Sequence, residues 1–287
     1  MIAASMLIVA LAAQDTLPPA ARRVLADVQY LANDAREGRG VGTKGIDQAA
    51  RYIADAFARA GAAPGGPDGS YFQPFTIPPD APAVLHTKLG GVQTRNVVAV
   101  LRGSSPALRG EVVVIGAHYD HLGYGGFGAL DDPDSTGKVH DGADDNASGV
   151  AALLQVARLL RARHPARTIV FVAFSGEEIG DLGSAYFVKH PLGAPVDSIY
   201  VMLNMDMVGR LKQDRLLAMG AATAQEFPGL LDSLNRKEGA RFDLHASGDG
   251  WGPSDHASFF AAKRPVLQFF TDLHEDYHRT TDRWQKI

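Results

Sequence analysis

The 287 residues carry a net charge of −4 and no basic run, which argues against a nucleic-acid binder. At 46% hydrophobic residues the chain can bury a sizeable core, as one large α/β domain or two small ones. Cysteine is absent, which excludes disulfides, a thiol nucleophile and thiolate zinc, so any zinc must rest on His, Asp and Glu.

The first dozen residues, MIAASMLIVALA, are apolar and end in Ala10-Leu11-Ala12, a small-x-small pattern before Ala13. The run is too short to span a bilayer and reads as a signal peptide over 1–12, which implies a secreted or periplasmic protein. Its start lacks the usual Lys or Arg, and a buried N-terminal helix is the alternative. No other stretch is long and apolar enough to cross a membrane.

From about Pro19 to Asp34, Val24, Leu25, Val28 and Leu31 recur at helical spacing. EGRGVGTKG breaks that pattern; Thr43 then caps a second helix running through Ala60 and closed by Gly61. Gly65 to Ser70 reads as a loop, and Tyr71 to Ile77 as a strand ended by Pro78-Pro79. Asn96 to Leu101 and Glu111 to Ala117 follow as strands. A strong helix spans Ala147 to Arg163, with Val150, Leu153, Leu154, Ala157 and Leu160 on one stripe.

Further strands are expected at 168–174, 199–205, 215–219 and 265–270, with helices near 184–189, 227–237 and 254–262. Strands alternating with helices predict one three-layer α/β domain over 19–287, with a central mixed, mostly parallel sheet between helices. There is no internal repeat and no linker that would split two domains. The chain stops at HRTTDRWQKI without a closing helix, so an apolar groove is expected to stay uncovered.

Five segments end apolar, strand-like runs or turns with metal-ligand residue types: VVVIGAH at His118, GADDNASG at Asp145, FVAFSGEE at Glu177-Glu178, VMLNMD at Asp206 and HEDYH at His278. In open α/β sheets, ligands bind beyond the carboxyl ends of the strands. Hard oxygen and imidazole ligands gathered there predict a metal site with two metals.

Asp120, two residues beyond His118, is a candidate to hold that histidine's second N–H. Helix capping accounts for one polar residue of Asp144-Asp145-Asn146, not three, and adjacent carboxylates repel unless a cation intervenes. Neighbouring side chains at a strand end point apart, so one of Glu177 and Glu178 can bind metal while the other faces substrate. A solvated helix start is the alternative for this pair. Tyr277 offers a phenolic donor for a developing oxyanion.

AHYDHLG, GADDNASG, FSGEE, NMDMVG, GPSDHASF and EDYHRTTD, in this order, resemble the co-catalytic dizinc aminopeptidases. These zinc exopeptidases are related to glutamate carboxypeptidase and glutaminyl cyclase, and the resemblance runs from about Asp34 to the C-terminus. It implies a phosphorylase/hydrolase-like fold and a cis peptide after Asp145. It also implies one zinc held by His118 and Asp206, a second by Glu178 and His278, and Asp145 as the bridge. Mn²⁺ or Co²⁺ would be possible substitutes.

The same resemblance makes Glu177 the general base acting on a metal-bridging water, with Asp120 as partner of His118. Tyr277 falls where some relatives carry an oxyanion-stabilising tyrosine. The Ser254-Asp255-His256 block, Asp255 in particular, becomes supporting structure, with His256 not a ligand. Two dications are balanced by three ligating carboxylates and one hydroxide, which leaves Glu177 free to move a proton.

The implied substrates are peptides with a free N-terminus. A carboxypeptidase, a cyclase or a receptor-like binding module are the alternatives, and no Arg cluster in the motif blocks suits a carboxypeptidase. The sequence assigns no oligomeric state.

Overall fold

A computed structural model describes residues 17–131, 135 and 137–287, so the signal peptide expected over 1–12 lies outside the described residues. Nine strands form one mixed sheet: β1 (Ala63–Pro64), β2 (Phe72–Thr76), β3 (Gln93–Leu101), β4 (Val112–His118), β5 (Thr168–Phe174), β6 (Ile199–Met205), β7 (Arg215–Met219), β8 (Asp243–Ser247) and β9 (Val266–Phe270). They lie in the order β1-β3-β5-β4-β6-β9-β7-β8, with β2 also paired to β3. The central four, β5-β4-β6-β9, run parallel, while β3 and β7 join antiparallel at the two flanks.

The central strands are mostly apolar because both of their faces are largely covered. In β5, Ile169, Phe171 and Ala173 face one layer, and Val170, Val172 and Phe174 face the other. The first layer is built by α1 (Pro19–Leu31), α2 (Lys44–Arg59) and α3 (Gly149–Arg163), which contribute Leu31, Ile53, Phe57, Val150 and Leu154. The second is built by α4 (Leu182–Lys189) and α6 (His256–Ala261), through Phe187 and Phe259. A smaller cluster packs Phe227 and Leu231 of α5 (Phe227–Lys237) on Val201, Ala218 and Leu267.

Local chemistry fixes several boundaries. Thr43 caps α2 by accepting from the Ile46 N–H at 3.3 Å, and Gly61 follows the helix end with a left-handed φ of 76°. The first helix stops at Leu31 rather than Asp34. Asn33 there accepts from the Ala35 N–H, and a 3₁₀ turn over Asp34–Arg39 swings Arg39 into the core.

α3 begins at Gly149 rather than Ala147, because Ala143–Ser148 forms a wider turn containing the cis Asp145–Asn146 peptide. The edge strand β8 has an exposed, weakly apolar sequence that gives no periodic signal. Leu159 on α3 and Leu230 and Leu234 on α5 stay exposed. Among the described residues, no helix is long and apolar enough to cross a membrane.

Register places the chemistry. β4 and β5 pair from Val112↔Thr168 to His118↔Phe174, so both strands end at one level, and Met205↔Phe269 sets β6 and β9 side by side. The loops leaving these four ends carry the candidate site. Phe171 stacks on Phe57 with ring centroids 5.8 Å apart and is fully buried, tying sheet to helix. Phe171→Ala is expected to lower unfolding free energy by roughly 3–5 kcal/mol, measured by urea denaturation.

Candidate metal centre

His118 closes β4, Asp206 follows β6, and the Glu177-Glu178 turn follows β5. Asp145 projects from the turn before α3, and His278 from the segment after β9. Five of these side chains, His118, Asp145, Glu178, Asp206 and His278, converge. His118 Nε2 lies 3.3 Å from Asp145 Oδ1 and 3.2 Å from Asp206 Oδ1. His278 Nε2 lies 3.1 Å from Asp145 Oδ2 and 3.1 Å from Glu178 Oε2. Asp145 therefore turns one oxygen to each histidine. Glu177 Oε2 sits 4.0 Å from His118 Nε2, beside the first group and outside the second.

These separations fit zinc. Bonds of about 2.0–2.1 Å in a tetrahedral arrangement put ligand atoms about 3.3–3.4 Å apart. The donors are imidazole and carboxylate, as a chain without cysteine requires.

The electrostatics are those of a tight acidic cluster. Burial disfavours the charged form of Asp145, yet hydrogen bonds with His118 and His278 hold its carboxyl well below the usual range. Burial and Asp145 oppose ionisation of Glu178, but His121 and His278 bring it down to about 2. Burial lowers the affinity of His278 for a proton, and its contacts with Asp145 and Glu178 reverse this, to about 11. Glu177 behaves oppositely: burial, then Asp206 and Glu178, overcome His118 and hold it well above the usual range.

Several supporting residues differ from expectation. Asp120 is beside His118, but its carboxylate makes no hydrogen bond to that ring. Its backbone oxygen is 3.2 Å from His118 Nδ1, whereas the nearer carboxylate oxygen is 3.9 Å away. That carboxylate instead accepts the N–H groups of Glu177 (3.3 Å) and Glu178 (3.4 Å), because β5 ends level with β4 and presents them. Asp255 is buried, and among the described residues it makes no hydrogen bond to any of the five converging residues. It faces Ser184 and Asp181, and burial, then Asp181, push its carboxyl well above the usual range. Ser254, one residue earlier, is the member of that block bonded to Asp206.

His256 is buried with neither ring nitrogen partnered among the described residues, and burial lowers its pKa to about 4. Tyr277 stacks on the His278 ring at 3.8 Å and lines the cleft beside Asp145, Glu177 and Asp206.

Other residues escaped the sequence reading. Arg39, fully buried, donates to the carbonyls of Tyr119 (2.8 Å), Leu31 (2.9 Å), Asp141 (2.6 Å) and Gly142 (2.8 Å), clamping the turn that carries Asp145. Asp282 accepts the N–H groups of Asp144 (2.9 Å) and Asp145 (3.1 Å) from the other side. His121 lies 2.5 Å from Glu178 through Nδ1. An arginine between glycines, the end of the EDYHRTTD block and the second histidine of AHYDHLG were the available signals, and none reveals a partner by spacing alone.

Residues 96–287 match the model of peptidase family M28. The chain belongs to that family. A probable zinc metalloprotease of Pyricularia oryzae is 32% identical over 82% of this chain and 51% of its own length. The chain thus spans about half or less of the curated relatives it matches. A zinc aminopeptidase from Bacillus subtilis shares the fold with a TM-score of 0.73 at 17% identity, covering 94% of this chain and 91% of that one. Tannerella forsythia glutaminyl cyclase does so with a TM-score of 0.71 at 22% identity, over 92% and 91%. An aminopeptidase and a cyclase fit this M28 chain equally well as folds, so the side chains of the site must separate the activities.

Carboxylates that hold the histidines protonated make zinc and protons competitors. Raising pH removes the protons, so apparent zinc affinity should climb from pH 6 to pH 9, by about tenfold per pH unit for each proton displaced. Calorimetry in buffers of different ionisation enthalpy should register the released protons.

Proposed function

We propose that this M28 protein is a dizinc metallo-aminopeptidase that hydrolyses the N-terminal peptide bond of peptides. The observation that carries the reading is the division of Asp145, with one oxygen toward His118 and Asp206 and the other toward Glu178 and His278. Two bound zinc ions would favour this reading over a cyclase working with a single zinc. Among the described residues the cleft offers no Lys or Arg cation that would clamp a C-terminal carboxylate, and Asp145, Glu177 and Asp206 line it.

His118, Asp206 and the bridging Asp145 would hold one zinc, and Glu178, His278 and Asp145 the other. When bound, the two ions would acidify the attacking water and polarise the scissile carbonyl. The protein's own residues do the rest. Glu177, with its raised proton affinity, takes the proton of the attacking water and returns it to the leaving amine. Tyr277, at the cleft wall, donates to the oxygen that gains charge as the carbonyl becomes tetrahedral. Met207, Met219, Phe270 and Leu273 line the same cleft and give the departing residue an apolar seat.

Glu177→Gln should retain both zinc ions, measured by metal analysis, and lose turnover of aminoacyl p-nitroanilides by roughly 10²-fold or more. Near-normal turnover in that variant would remove Glu177 from the mechanism. N-acetylation of a peptide substrate should abolish its hydrolysis, and equal rates for free and blocked peptides would exclude an aminopeptidase.

A further inference from the structure

His121 stands three residues after His118 in the same AHYDHLG block, but it turns to the other metal group. Its Nδ1 is 2.5 Å from Glu178 Oε1, while Glu178 Oε2 lies 3.1 Å from His278 Nε2. The two oxygens of one carboxylate are thus divided between different partners. His121 Nδ1 is also 3.9 Å from Asp145 Oδ2, too far for a hydrogen bond.

The ring has little freedom to do anything else. His121 is 3% exposed, and its backbone N–H donates to the carbonyl of Arg39 at 3.3 Å. Its Nε2 is buried without a hydrogen-bond partner among the described residues. A donor N–H on Nδ1 therefore satisfies the short contact to Glu178, and a bare Nε2 avoids burying an unpartnered donor. The ring also lies against Gly142, where a Cβ would come within 2.4 Å of His121 Cδ2 and 2.5 Å of Cγ. Gly142 has a left-handed φ of 55° and opens the turn bearing Asp145, so the ring is wedged between that turn and Glu178.

We propose that His121 is a positioning residue that occupies Glu178 Oε1 and so keeps Oε2 turned toward His278, where Glu178 would help to hold zinc. The inference rests on the dizinc reading above. Without the donor from His121, Glu178 is free to rotate about its last bond and lose its alignment with Asp145 and His278. Partners that orient a metal ligand in this way are worth about 10–100-fold in metal affinity. The effect belongs to one ion of the pair. His118 and Asp206, which would hold the other, make no hydrogen bond to His121 among the described residues.

The test compares His121→Phe, which keeps a ring but removes the donor, with His121→Asn, whose amide N–H falls near the position of Nδ1. Zinc affinities are measured on the folded full chain by chelator competition, with circular dichroism and thermal melting of the zinc-free protein as controls. His121→Phe should weaken one zinc by about 10–100-fold and leave the second within a few fold, while His121→Asn recovers most of the loss. Wild-type affinities in His121→Phe, or equal losses in the two variants, would overturn the proposal. If His121→Phe does not fold, His121→Gln, with its amide displaced toward the Nε2 position, replaces it under the same criteria. Binding of only one zinc by the wild-type chain would instead sink the dizinc reading itself.

Discussion

The geometry of this protein turns on Asp145 and the two histidines it faces. A carboxylate with His118 on one oxygen and His278 on the other is a compact arrangement of donors. It brings Glu177, Glu178 and Asp206 close enough that their like charges repel. Such a cluster is tolerable only if cations or protons balance it and the backbone cannot relax away. Much of the surrounding structure serves that second need.

The restraint comes from three directions. Arg39 reaches from the turn after α1 and draws the carbonyls of the Asp141–Gly142 segment inward. Asp282 grips the N–H groups of Asp144 and Asp145 from the C-terminal side. Asp120 ties the Glu177-Glu178 backbone to the end of β4. The guanidinium satisfies carbonyls, the carboxylates satisfy N–H groups, and each locks a turn whose own hydrogen bonds are incomplete. Helices α2 and α3 and the parallel strands supply a rigid floor beneath these turns.

Sharing a fold with both an aminopeptidase and a glutaminyl cyclase sets the limit of what architecture conveys here. The sheet and helices deliver strand ends to one rim, and the side chains chosen at that rim decide the reaction. In this chain the rim carries a second histidine-aspartate pair, His118 and Asp206, together with an acidic cleft mouth and an apolar wall. These features, rather than the fold, are what the proposed aminopeptidase reading rests on.

The apolar strands 112–118, 168–174 and 199–205, the α2 cap at Thr43 and the five converging residues could be read along the chain. Each is a local pattern: a run, a capping residue, or a ligand type at a strand end. Partners far apart in sequence could not be read that way. Arg39 lies 102 residues from the Asp141 carbonyl it binds, Asp282 lies 138 from Asp144, and His121 lies 57 from Glu178. Asp120 was legible as a supporting carboxylate, but its true contacts depend on β5 ending level with β4. The start of α3 shifted because the ligand turn overrides helical propensity. The sequence alone determined which ligand-type residues stand at the strand ends and turns, since residue type and spacing are local properties. Only the tertiary structure decided which oxygen faces which nitrogen, because hydrogen bonds act over about 3 Å and that proximity is created by packing.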